Sequence, residues 1–214
     1  MNFQSNYISA TCLEYRFGTK IDKICNDLVL KVYRSLTQLT HLKQMGIRDI
    51  VPSYTSIAIH FDTSCNLLKD IKAFDCLIEK ALQQENNDVP AEHIIYVEYN
   101  GEDIDDVCQR LKLSKEVFIG LHTKTYSIAM IGFREYFPYL LGLDSKLNIP
   151  RRDAPRQSVK KGSVAIAAGQ TGIYPEESPG GWHIIGQTDF DDFALLKPSD
   201  IIIFKNKDAH AYQL

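Results

Sequence analysis

No stretch of this 214-residue chain approaches the roughly 20 apolar residues that a membrane span needs. Met1-Asn2-Phe3-Gln4-Ser5 lacks the basic start and apolar run of an export signal, so a cytoplasmic protein with no membrane partner is expected. Charge of one sign is missing too: 24 Lys+Arg against 27 Asp+Glu leave a formal net charge of -3. Nothing general then draws the chain to nucleic acid, and any basic site has to be local. Cysteine is sparse. Cys12, Cys25, Cys65, Cys76 and Cys108 are odd in number, widely spaced and without a C-x-x-C pair, which argues against a disulfide framework or a zinc site. They read as buried free thiols in a reducing compartment, none placed as a nucleophile. There is no G-x-S-x-G elbow, no H-E-x-x-H helix, no G-x-x-x-x-G-K-[ST] loop and no G-x-G-x-x-G turn. The chain thus carries no recognisable nucleotide site of its own, and no metal is expected.

What is present is a 44% hydrophobic, ordinary globular composition, enough for one sizeable core or two small ones. A strand is predicted within Asn6 to Tyr15. Ile21, Cys25, Leu28, Val32, Leu36 and Leu39 then mark a long amphipathic helix ending before Gly46. Ile47 to Val51 and Ser56 to Phe61 read as strands around a Pro52-Ser53-Tyr54 turn, and Leu67, Ile71, Phe74, Ile78 and Leu82 as a second helix. This βαββα order predicts an α+β domain over 1–85, its helices on one face of a small antiparallel sheet. The polar run from Gln83 to Pro90 is the predicted boundary. Over 90–214 the pattern is a strand from His93 to Tyr99, helices at Ile104 to Leu111 and Ser114 to Thr123, then short strands with Pro- and Gly-rich loops. A closed β-barrel or compact sandwich is expected there.

Two loops concentrate the residues suited to chemistry. In Gly162 to Thr188, the strand Ser163 to Ala168 leads into an expected turn at Gly169-Gln170-Thr171-Gly172, and Ser178-Pro179-Gly180-Gly181 reads as a second turn before Trp182. Glycines there would leave backbone amides open to a ligand. Gln170 and Tyr174 offer an amide and a phenol, although each could equally satisfy loop backbone groups, and Trp182 could be a core aromatic. In Pro150-Arg151-Arg152-Asp153-Ala154-Pro155-Arg156, prolines hold an extended segment from which planar guanidinium forks can grip carboxylate or phosphate oxygens. The alternative is that an arginine pins this loop to an interior carboxylate, and among the three at least one of each kind is expected. His122, at a helix end, is either a packed residue or a proton carrier. The run Glu102-Asp103-Ile104-Asp105-Asp106 is accounted for by carboxylates favouring a helix start.

Taken in order, several segments resemble one family over nearly the whole chain. They are Gly46-Ile47-Arg48-Asp49-Ile50-Val51-Pro52-Ser53-Tyr54, His122, Gly132-Phe133, Phe137-Pro138-Tyr139-Leu140, Pro150-Arg151-Arg152, Pro155-Arg156, Gly162-Ser163-Val164-Ala165-Ile166 and Ser178-Pro179-Gly180-Gly181-Trp182. The family is that of the 5-oxoprolinase B subunit, also described as allophanate hydrolase subunit 1 and as the KipI kinase-inhibitor family. The resemblance implies an α+β N-terminal domain followed by a mainly-β cyclophilin-like barrel domain. It implies pairing with a larger C subunit and action with an A subunit in the ATP-dependent opening of 5-oxoproline to glutamate. Related domains form half of the carboxyltransferase unit of urea carboxylase, so a urea derivative is an alternative substrate. The kinase-inhibitor member binds a sporulation histidine kinase. On this reading His122 and Tyr174 are the catalytic candidates, and Arg151, Arg152, Arg156, Gln170, Thr171, Gly180, Gly181 and Trp182 bind substrate. The sequence departs from the family pattern at Glu135-Tyr136, Gln187, Ser199-Asp200 and the Gly101 to Asp106 region, departures that bear on substrate more than on fold.

Overall fold

A computed structural model describes residues 3–62, 71–84 and 89–210, and the chain divides into two compact units, Met1–Val89 and Pro90–Leu214. Cys65, Leu67 and the polar residues 85–88 lie outside the described residues.

In the first unit the single strand expected over Asn6–Tyr15 is a hairpin, β1 (Gln4–Ser9) and β2 (Cys12–Arg16). β1 is almost wholly exposed, so it carries no apolar alternation to read, whereas β2 buries Leu13 and Tyr15. α1 (Lys23–Thr37) begins at Asp22, whose carboxylate accepts the Cys25 N–H at 2.9 Å. It buries Cys25, Val29, Val32 and Leu36, one face at spacings of three and four. β3 (Ile47–Pro52) and β4 (Ser56–Phe61) complete an antiparallel sheet of order β1-β2-β4-β3, and α2 (Ile71–Gln83) packs beside α1. Tyr15, Val32, Leu36, Ile57, Ile59, Phe61 and Phe74 share the core between sheet and helices. Asn26, buried on α1, donates its amide to the carbonyls of Ser53 and Tyr54 and so ties the helix to the β3–β4 turn.

The second unit opens with β5 (Glu92–Val97), α3 (Ile104–Leu111) and α4 (Lys115–His122). The last starts where the Ser114 hydroxyl accepts the Val117 N–H at 3.3 Å. Then come β6 (Thr125–Ile131), β7 (Pro138–Leu141), β8 (Arg156–Val159), β9 (Ser163–Ala167), β10 (Gln170–Ile173), β11 (Ser178–Gly180), β12 (His183–Gln187) and β13 (Ile201–Asn206). Seven of these strands form one curled sheet, β12-β9-β10-β7-β6-β13-β5, with β13/β5 its parallel pair. Its two edge strands meet at one bridge, where Glu98 and Gln187 each donate an N–H to the other's carbonyl at 2.9 Å. A Cβ at Gly101 would overlap the Ile184 carbonyl, and one at Gly186 would crowd the Glu98 carbonyl. The seam closes because both positions are glycine.

The remaining strands, β8 and β11, pair into a two-stranded arm. Beneath it Val159, Ala165, Ala167, Tyr174, Trp182, Phe137 and Ile184 form a small cluster, while Val164, Ile166 and Ile185 face the main core. β9 is therefore buried on both faces, the physical reason Ser-Val-Ala-Ile-Ala reads as an unbroken small and apolar run. Two turn expectations are corrected. The β9–β10 turn is Ala168-Gly169, at φ of +50° and +77°, the geometry of a two-residue hairpin, and Gln170 to Gly172 already belong to β10. Ser178 to Gly180 is a strand, because its backbone pairs with β8.

Candidate functional site

Arg152 and Arg156 converge on one carboxylate. Asp103, at the start of α3, is held to β12 by its N–H to the Ile184 carbonyl at 3.0 Å and by its Oδ2, which accepts the Ile184 N–H at 2.7 Å. Its Oδ1 accepts Arg152 Nη1 at 2.9 Å and Arg156 Nη2 at 2.7 Å. Burial by itself would raise this carboxyl, but the hydrogen bonds from Arg156 and Ile184 and the charges of Arg156 and Arg152 outweigh it and hold it below 3.8. Arg156 is raised in turn: burial opposes its charge, and Asp103 with Glu102 more than restores it. Glu102 Oε1 lies 2.8 Å from Arg156 Nε. Two of the three arginines expected to grip a ligand therefore spend charge on the protein itself. Arg151 differs, being exposed with no carboxylate partner among the described residues, and its charge acts on the phenols of Tyr139 and Tyr174.

The arginine segment and the tryptophan hairpin do come together. Gly180 stands opposite Arg156 in the β8–β11 pair, and the Arg152 N–H donates to the Gly181 carbonyl at 2.9 Å. Gly180 has a steric role of its own. A Cβ at Gly180 would overlap the Tyr174 phenol oxygen, so the missing side chain makes room for the protein's own tyrosine. Tyr174 and Trp182 are 2% and 5% exposed and stack edge-on against Phe137, at 5.1 and 5.8 Å between ring centroids. Burial raises the Tyr174 phenol above its usual range. Gln170 and Thr171 are buried on β10.

His122 lies apart, in the main core and fully buried. Its Nδ1 is 2.7 Å from the Tyr99 hydroxyl and its Nε2 3.0 Å from Thr171 Oγ1, which itself donates to the Ala165 carbonyl at 3.0 Å. That donor order places the proton on Nε2 and leaves Nδ1 to accept from Tyr99, a neutral and satisfied imidazole. Phe118 and Phe204 stack on its faces, and burial pushes its pKa down to about 3. Of the two roles open to it in the sequence, the packed one is observed.

A cavity of about 700 Å³ opens beside the seam where the edges of the curled sheet meet, lined by Glu102, Arg156, Ser158, Lys160, Ser163 and Gln187, with Gly101 and Gly186 on its wall. Arg156 is the predicted residue that reaches it. Lys160 is exposed and has no ion-pair partner among the described residues. Ser158 donates its hydroxyl proton to Glu177 and Ser163 to Gln187, so both present free lone pairs. Arg156 Nη1 is buried without an acceptor among the described residues. Glu102, Asp103, Ser158, Lys160 and Ser163 were not among the expected site residues, and Gln187 was marked only as a departure from the family pattern. For the two acids the run 102–106 was visible but fully explained by a helix start, although Asp103 makes no side-chain cap bond. No group of His, Cys, Asp and Glu among the described residues could hold a metal ion, and no described helix is long and apolar enough to cross a membrane.

A mixed α/β chain whose seven-stranded sheet curls until its edges touch is the architecture of carboxyltransferase domains. The K. lactis urea amidolyase superposes on it with a TM-score of 0.69 at 17% identity, over 99% of this chain and 15% of that one, a likeness of fold alone. The model of the carboxyltransferase domain, subdomain C and D, matches residues 3–201, and the chain belongs to that family. It is 30% identical to the B subunit of 5-oxoprolinase from Bacillus subtilis (strain 168), over 100% of this chain and 98% of that protein. The solved structure of TTHA0988 is 32% identical with a TM-score of 0.78, covering 91% of this chain and 40% of that longer one.

Proposed function

We propose that the chain is the B subunit of an ATP-dependent 5-oxoprolinase, acting with the A and C subunits to open 5-oxoproline to L-glutamate. The observation that carries this is the end-to-end likeness to the B subunit of a 5-oxoprolinase. An unstrained five-membered lactam is a poor electrophile, and ATP in the assembled complex supplies the activation of its amide oxygen. This chain's part is binding and orientation. Arg156 and Lys160 hold the substrate carboxylate in the seam cavity, and the lone pairs of Ser158 and Ser163 receive the lactam N–H. Arg152, Tyr174, Gly180, Gly181 and Trp182 hold the arm that carries Arg156, a positioning role, while His122 fixes β10 to α4 through Thr171. Co-expression with the sister subunits and an assay for ATP-dependent glutamate formation from 5-oxoproline test the reading. A stable three-subunit complex that forms no glutamate overturns it.

A second reading, an inhibitor that docks on a histidine kinase, is favoured by one observation: Ile94 and Tyr96 on β5 are 55% and 42% exposed. Stoichiometric binding to a kinase dimerisation domain, lost in Ile94→Asp, would establish it over the enzyme reading.

A further inference from the structure

Two acids adjoin in sequence, share one guanidinium, and differ in everything else. Asp103 has a side chain 7% exposed and accepts from Arg152, Arg156 and the Ile184 N–H. Glu102 is 61% exposed and makes a single ion pair, to Arg156 Nε. Exposed pairs of that kind are weak, because water screens them and a long side chain must be ordered to form them. The backbone on either side of Glu102 is pinned. The Gly101 N–H donates to the Ile185 carbonyl at 3.2 Å and the Asp103 N–H to the Ile184 carbonyl at 3.0 Å.

We propose that Glu102 is a gate on the seam cavity: its carboxylate occupies the place on Arg156 that the ligand's carboxylate takes, and leaves it by side-chain rotation while the backbone stays still. The proposal rests on reading the cavity as a carboxylate site. Charge supports the exchange. Among the residues that line the cavity Glu102 pairs with Arg156, and Lys160 adds a positive charge with no ion-pair partner among the described residues. An incoming carboxylate is drawn by Lys160 and replaces what Arg156 loses when Glu102 swings out to solvent. A neutral ligand offers nothing in return for the broken ion pair. Glu102 thereby makes the cavity selective for carboxylate-bearing molecules over uncharged molecules of the same shape. Asp103, buried and three times bonded, keeps the guanidinium in place throughout.

The test is a titration of the full-length, ¹⁵N-labelled chain followed by NMR, with 5-oxoproline, its uncharged analogue 2-pyrrolidinone, and inorganic phosphate as probes. In the wild type 5-oxoproline is expected to move the amide signals of Gly101, Lys160 and Gly186 to saturation, and 2-pyrrolidinone is not. Glu102→Gln, which removes the competing charge at an exposed position and keeps the fold, is expected to bind 5-oxoproline about fivefold more tightly. Equal affinity in the two proteins overturns the gate and leaves the cavity as a carboxylate site. Saturation by 2-pyrrolidinone at the same concentration as the acid also overturns it, and tighter binding of phosphate than of 5-oxoproline overturns the carboxylate assignment. Absence of any saturable shift with 5-oxoproline in both proteins removes the cavity reading and the gate together.

Discussion

The core around His122 and the seam around Asp103 are both polar clusters built on long-range contacts, and they are finished to different degrees. At His122 each group has its partner: Tyr99 donates to the ring, the ring to Thr171, Thr171 to a carbonyl, and aromatic rings cover the rest. At Asp103 the charges balance, but Arg152 Nε and Arg156 Nη1 lack acceptors among the described residues, Glu102 is half in water, and a cavity adjoins. A complete network in a dry core fixes a structure and has nothing left for a ligand. An incomplete one beside open volume has both a vacancy for hydrogen bonds and room to fill it.

The largest expected effect tests whether the seam is structural as well as receptive. Asp103→Asn removes the buried negative charge that two guanidinium groups share and puts an amide donor against the Ile184 N–H, and it should lower stability in urea unfolding by about 3 kcal/mol, since breaking a buried pair strands its partners. A loss under about 1 kcal/mol would mean that the aromatic cluster holds the arm unaided. The His122 core should declare itself through acid. Its ring titrates near 6.5 when unfolded and is pushed down to about 3 when folded, so the folded state lags in proton uptake. Stability is then full above pH 6.5 and falls as pH drops toward 3. Between pH 6.5 and 5 this group should cost about 2 kcal/mol, and His122→Gln should remove that slope when unfolding is measured across the range. Asp103 is separable, because its contribution is present above 3.8 and lost only below it. Gly180→Ala should cost about 1–2 kcal/mol by forcing Tyr174 from the arm, read as a lower denaturation midpoint. The smallest effect belongs to Lys160→Gln, which leaves stability unchanged and weakens 5-oxoproline binding about threefold. In the assembled enzyme it would raise KM and not kcat.

The short-range part of this architecture was open to inspection beforehand. α3 and α4 begin and end within a residue of where the apolar spacing and Ser114 put them, and β3, β4 and β5 follow their alternation. β1 was missed because an exposed edge strand has no periodic face, and β11 because Pro179-Gly180 are turn residues in any local reading. The candidate site was half visible. Composition picked out the arginine loop and the Trp182 hairpin, whereas their adjacency and the partners of the arginines came only from the structure. Asp103 lies 49 and 53 residues from Arg152 and Arg156, and nothing within the run Glu102 to Asp106 distinguishes an acid that starts a helix from one that anchors an arm.

From its residues alone the chain determined the positions of most helices and strands and its family. These depend on periodicity, caps and motifs, whose physics acts over a few neighbouring residues. The tertiary structure decided which charges are spent and which are available: Asp103 quenches two arginines, Tyr174 fills the space at Gly180, His122 is sealed in neutral, and Lys160 faces the cavity uncompensated. Those outcomes depend on contacts between groups that the chain holds many residues apart, among them the bridge of Glu98 to Gln187 where the edges of the curled sheet meet.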